Sequence, residues 1–87
     1  MTNNIKFSES CFRYIITVTF NSKIDGLIKT YFTSNDGEIH STCTIWSAKK
    51  FFSKKEAKEV LTACKATWPE ATYTICKVYM SAPVEED

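Results

Sequence analysis

The stretch that most constrains this chain is residues 52–68, Phe-Ser-Lys-Lys-Glu-Ala-Lys-Glu-Val-Leu-Thr-Ala-Cys-Lys-Ala-Thr-Trp, closed by Pro69. Ser53 followed three residues later by Glu56 has the form of a capping box, in which each side chain satisfies a backbone N–H at the start of a helix. Such a cap is worth about 1 kcal/mol. Ala57, Val60, Leu61, Cys64 and Trp68 recur at helical spacing and form one apolar stripe. Lys54, Lys55, Lys58, Glu59, Thr62 and Lys65 fall on the wet side. Pro69 disfavours helical geometry at Trp68, so the helix is predicted to stop there. No other stretch has a convincing helical pattern, and the remaining apolar residues read as strands.

Residues 12–20 are the strongest strand. Phe12, Tyr14, Ile16, Val18 and Phe20 alternate with Arg13, Ile15, Thr17 and Thr19, and the first set is expected to meet the helix stripe. Asn21-Ser-Lys-Ile-Asp-Gly26 reads as a hairpin loop, with Asp25-Gly26 able to supply positive φ. Residues 27–33 form the second strand. Its apolar residues come in pairs, Leu27 with Ile28 and Tyr31 with Phe32, which implies two partly covered faces or a bulge. Ser34-Asn-Asp-Gly37 is a turn, and 39–46 a third strand rich in Thr and Ser. Residues 47–52 connect to the helix, with Phe51 or Phe52 expected beneath its start. A fourth strand covers 71–80, with Tyr73, Ile75 and Tyr79 on one face and Cys76, Val78 and Met80 on the other.

The order is therefore β-β-β-α-β, and the expected fold is an α+β two-layer sandwich: a four-stranded sheet with one helix packed on one face. A crossover through the helix would bring the last strand parallel to a neighbour, in the right-handed sense. Placing it beside the first strand makes the strongest strand central. At 87 residues the chain has room for one domain, expected over 11–80. A loose N-terminal arm over 1–10 precedes it and an acidic tail over 81–87 follows. A content of 44% apolar and 14% aromatic residues is that of a globular chain.

The net charge of +1 gives no overall pull toward nucleic acid or membrane. Locally the balance is uneven: six lysines against two glutamates give residues 49–65 a charge of +4. The rest of the chain then sums to −3, which Glu85, Glu86 and Asp87 account for. The four cysteines, Cys11, Cys43, Cys64 and Cys76, lack the short spacing of a zinc knuckle or redox motif. With no secretory leader pattern and no run of membrane-spanning length, the expectation is a cytoplasmic protein with reduced thiols.

Candidate sites are few. His40 is the single histidine, with no acidic residue at triad spacing. His40 and Cys43, three apart on one strand, would point to opposite faces and so not share a metal. The carboxylates are accounted for by the cap, the helix surface and the turns. These readings point to no enzyme, no metal and no cofactor. The lysine cluster Lys49, Lys50, Lys54, Lys55 and Lys58 offers a nucleic-acid- or nucleotide-binding alternative. Against it, Arg13 is the only arginine, and no Gly-rich loop cradles a phosphate. The aromatics offer another opening. One helix covers one sheet face, so some of Arg13, Ile15, Phe32, Trp46, Tyr73 and Tyr79, depending on register, would line an open face able to bind a partner. An edge strand offers a partner's sheet or a homodimer a second option. Alternatively the N-terminal arm, through Ile5 and Phe7, covers the open face.

The run Trp46-Ser-Ala-Lys-Lys-Phe-Phe-Ser-Lys-Lys-Glu-Ala57, with Trp68-Pro-Glu-Ala71 and a closing strand, resembles a recurring type of small phage-encoded protein. In that type a short sheet ends in a large residue, and a turn leads to a Ser-x-x-Glu-Ala helix start. The resemblance covers the second half of the chain. It implies a stoichiometric binding protein that blocks a host protein or ribonucleoprotein complex, such as a defence system (an anti-CRISPR, for example).

Overall fold

Alternation in residues 12–20 produces the strand it predicts. In the computed structural model, which describes residues 12–79, β1 spans Phe12–Ser22 and turns Tyr14, Ile16, Val18 and Phe20 toward the helix. The arm, Cys11, Met80 and the acidic tail lie outside the described residues. At the first loop the Ser22 hydroxyl accepts from the N–H groups of Ile24 and Asp25. Gly26 then takes φ +79°, a left-handed value that favours glycine, and opens β2 (Gly26–Asn35). The second loop uses Asx turns, Asn35 Oδ1 accepting from Gly37 N–H and Asp36 Oδ1 from Glu38 N–H. A register shift between Phe32 and Ser34 where β2 meets β3 (Ile39–Thr42) is a bulge, one of the two readings that the paired apolar residues allow.

The expected third strand is cut short. Thr42 Oγ1 accepts from the Thr44 N–H, and Thr44 Oγ1 donates to Ser47 Oγ, which starts a 3-10 turn at Ile45–Ser47. The hydroxyl residues that suit a strand here bond to neighbouring groups instead. After the connector, Ser53 caps α1 (Lys54–Thr67), its hydroxyl accepting from the Glu56 N–H at 3.1 Å. The helix stops where Pro69 predicts, with the Trp68 N–H bonded to Cys64 O. β4 (Thr72–Tyr79) closes the fold.

The sheet order is β3-β2-β1-β4, with β1 central beside β4 as expected. Every pairing is antiparallel, so the parallel last strand and its crossover are corrected. The reason lies in the connector. Pairing between β1 and β2 ends at Thr17↔Tyr31, and the connector enters beyond that point. There the Lys49 N–H bonds Phe32 O, and Phe51 exchanges two backbone hydrogen bonds with Tyr14. The chain has thus come back to the start of β1 before the helix begins. The helix then advances along β1 until Trp68 meets Phe20, with ring centroids 5.2 Å apart. β4 must run the other way, from Thr72 opposite Thr19 to Tyr79 opposite Phe12.

Ile16, Val18, Phe32, Phe51, Ala57, Cys64, Ala71 and Tyr73 form the core between sheet and helix. Ile15 and Ala48 are also buried, outside that cluster. Each fully buried large apolar side chain here contributes roughly 1.5–3 kcal/mol.

Candidate functional site

Of the residues expected on an open sheet face, Ile15 is buried, which corrects its placement, Arg13 lies against Phe52, and the four aromatics separate. Phe32 and Tyr73 belong to the core, which corrects their placement as partner contacts. Tyr73 pairs with Val18 and so shares the face that meets the helix; its hydroxyl donates to Trp68 O at 2.8 Å. Phe32 sits where β2 parts from β1, its ring stacked on Phe51 at 6.3 Å. Trp46 and Tyr79 remain in water, at 81% and 62% exposed. Trp46 stands on the 3-10 turn, beyond the end of β3.

A further exposed aromatic is Phe52, at 75%. Phe51 lies in an extended segment paired to Tyr14, so its chain neighbour must point the opposite way. Adjacent phenylalanines in extended chain are the signal that one of the two faces out. The guanidinium of Arg13 lies over the Phe52 ring, 4.2 Å from its centroid. On the helix side of the same strand end, Phe12 and Tyr79 meet edge-to-face at 4.6 Å, and Lys77 Nζ lies 4.5 Å from the Phe12 centroid. The start of β1 thus presents aromatic rings and cations on both faces, a composition suited to interfaces.

The five lysines of the nucleic-acid alternative do not form one patch. Lys50 Nζ donates to the carbonyls of Ile45, Trp46 and Ala48, at 3.3, 2.7 and 2.9 Å, and so holds the 3-10 turn. Lys49 lines a groove between the end of β2 and α1, together with Asn35, Glu59, Val60 and Ala63. Lys54, Lys55 and Lys58 are exposed on the helix. Lys54 and Lys58 share a flank with Lys65, and Lys77 of β4 adds a fourth cation that the spacing of 49–58 does not reveal.

His40 has an acidic neighbour after all. Its Nε2 lies 3.2 Å from Asp36 Oδ1, and Glu38 is close by; all three are exposed, Asp36 and Glu38 on the second loop and His40 in β3. Asp36 Oδ1 is also the acceptor that shapes that turn. Cys43 is exposed, Cys76 half-buried and Cys64 buried, all three as free thiols. Burial pushes the Cys64 thiol up from its ordinary pKa, away from the thiolate that a nucleophile requires.

No helix among the described residues is long and apolar enough to cross a membrane. No protein-family model, curated protein or solved structure matches the chain.

Proposed function

We propose that the protein is a non-enzymatic binding protein that acts stoichiometrically by occupying the surface of a partner macromolecule, and that Trp46, Phe52 and Tyr79 are its contact residues. The observation that carries this reading is the exposure of those three rings in a fold that buries Phe32, Phe51 and Tyr73. Large aromatics left in water give up burial worth roughly 1.5–3 kcal/mol each, which a partner can recover. Arg13 over Phe52 holds one of the rings in place and so lowers the ordering cost of binding. The likeness of residues 46–57 to small phage-encoded proteins supports a host macromolecule, such as a component of a defence system, as the partner.

The test is affinity capture by the tagged full chain from lysate split into nuclease-treated and untreated halves, beside a Trp46→Ala, Phe52→Ala double variant. A protein recovered near one-to-one with the parent and lost by about tenfold or more with the variant is the expected result. A partner held equally by both chains would sink the aromatic contact set. One released by nuclease would shift the reading to the lysines.

A further inference from the structure

Among the described residues, β4 is an edge strand of eight residues. Backbone groups along an antiparallel strand point alternately to its two sides. Tyr14 exchanges both of its hydrogen bonds with Phe51, on the side away from β4. The odd-numbered residues of β1 therefore face β4, and through Ile15↔Cys76 and Thr17↔Thr74 the even-numbered residues of β4 are the bonded ones. It follows that the N–H and C=O groups of Tyr73, Ile75 and Lys77 point outward. They have no partner among the described residues. The protections that edge strands normally carry are scarce here. Within β4 there is no proline, the ladder with β1 has no bulge, and Lys77 is the one charged residue. The opposite edge, β3, has only four residues and a bulge beside it.

Cations overlook the same edge. α1 lies across β1 and β4. One of its flanks, with Glu59, Val60 and Ala63, faces the end of β2, where Asn35 Nδ2 donates to Thr67 Oγ1 at 3.1 Å. The other flank carries Lys54, Lys58 and Lys65, four and then seven residues apart, and so looks over β4. Lys77 projects from β4 on the same side as Tyr73 and Ile75. All four lysines are exposed, and none is in an ion pair among the described residues. On the other face of β4, Thr72 and Thr74 are exposed.

We propose that the outer edge of β4 takes an extended acidic segment of a partner protein as a fifth strand. Its main chain would bond the outward groups of Tyr73, Ile75 and Lys77. Carboxylates at every second position would meet the lysine flank, and small or β-branched residues between them would lie beside Thr72 and Thr74. Main-chain bonding supplies affinity in such additions, and charge selects the partner. This surface lies apart from Trp46 and Phe52, whereas Tyr79, the third of the proposed contacts, stands at the end of the same strand.

The probe is a capped octapeptide alternating glutamate and valine, added to the isotope-labelled full chain and followed by amide spectra and hydrogen exchange. Expected are shifts at Tyr73, Ile75 and Lys77 with exchange there slowed by about tenfold or more, and binding that weakens as salt rises. Lys77→Pro removes one outward N–H without touching the β1 ladder, and is expected to weaken binding by about tenfold. Lys77→Gln keeps that N–H, so it loses only about threefold. Lys58→Glu with Lys65→Glu reverses charge on exposed helix positions and is expected to cost about tenfold or more. Trp46→Ala leaves peptide binding unchanged, so failure of this edge and failure of the Trp46 and Phe52 contacts are told apart. The proposal is overturned if the peptide leaves the three amides unmoved, or if a lysine–valine peptide binds equally well. It is also overturned if the free protein is a dimer with these amides already protected, since a second copy then holds the edge. Movement of the lysine flank by a single-stranded oligonucleotide but not by the peptide would overturn it in favour of nucleic acid.

Discussion

Phe51 and Phe52 are the same residue type one position apart, and they do opposite things. Phe51 is anchored by two backbone hydrogen bonds to Tyr14 and is almost wholly buried against Phe32. Phe52 is turned outward by the alternation of extended chain and meets only Arg13 among the ring and cation contacts of the described residues. Truncating the first leaves a cavity at the point where β1, β2 and the helix converge. Phe51→Ala is expected to lower stability by about 3–5 kcal/mol, and Phe52→Ala by less than about 0.5 kcal/mol. Urea unfolding midpoints of the two variants at equal slope check this contrast, and equal losses would contradict the assigned orientations. Lys50 shows the same dependence on place. Read as one of five phosphate-seeking lysines, it is instead occupied by two carbonyls of the 3-10 turn and that of Ala48 just after it.

At the scale of elements, α1 was legible because its signals are local. Ser53, Glu56, the apolar stripe and Pro69 all act within a few residues of where they stand in the chain. Ser53→Ala is expected to cost about 1 kcal/mol and Ser53→Asp close to nothing, since aspartate also accepts from the Glu56 N–H and favours the positive end of the helix. Thermal unfolding of the two variants separates the cap from general effects of substitution; equal losses would show that the hydroxyl acceptor contributes nothing. The β1 pattern was legible for a similar reason, since alternation assigns faces without knowledge of neighbours. What local pattern could not supply was the direction of β4. That depends on where the connector returns, and the return is set by Phe51 pairing with Tyr14, a contact between residues 37 positions apart. The burial of Phe32 and Tyr73 depended on the same long-range register. Trp46 and Tyr79 are exposed, but on the 3-10 turn and on the helix side of β4 rather than on the open sheet face expected of them. Lys65 was legible in the basic run 49–65, whereas the exposure of Phe52 and the place of Lys77 beside that flank emerged only from the fold.

The described residues form two layers around one main core, and that core encloses two acidic protons. The Cys64 thiol lies on the helix stripe and Tyr73 beneath it on β4, both within the same buried cluster. Burial raises Cys64 above its ordinary pKa of 9.0. Tyr73 is raised above 10.0 by burial first, then by the negative charges of Cys64 and Glu70. In the unfolded chain both groups ionise at their ordinary values, so with rising pH the unfolded state loses these protons before the folded state does. Stability from this pair is complete below about pH 9 and falls as pH climbs from there through the folded values. Urea midpoints measured under reducing conditions between about pH 7 and pH 11 should therefore decline above about pH 9. Tyr73→Phe forfeits the bond to Trp68 O and starts about 1 kcal/mol lower, but its decline above about pH 10 should be shallower than the parent's. Cys64→Ala should delay the onset. Parallel declines in parent and double variant would mean that the alkaline weakness lies outside the core. A shallower decline in the variants ties it to the layer contact that joins helix and sheet.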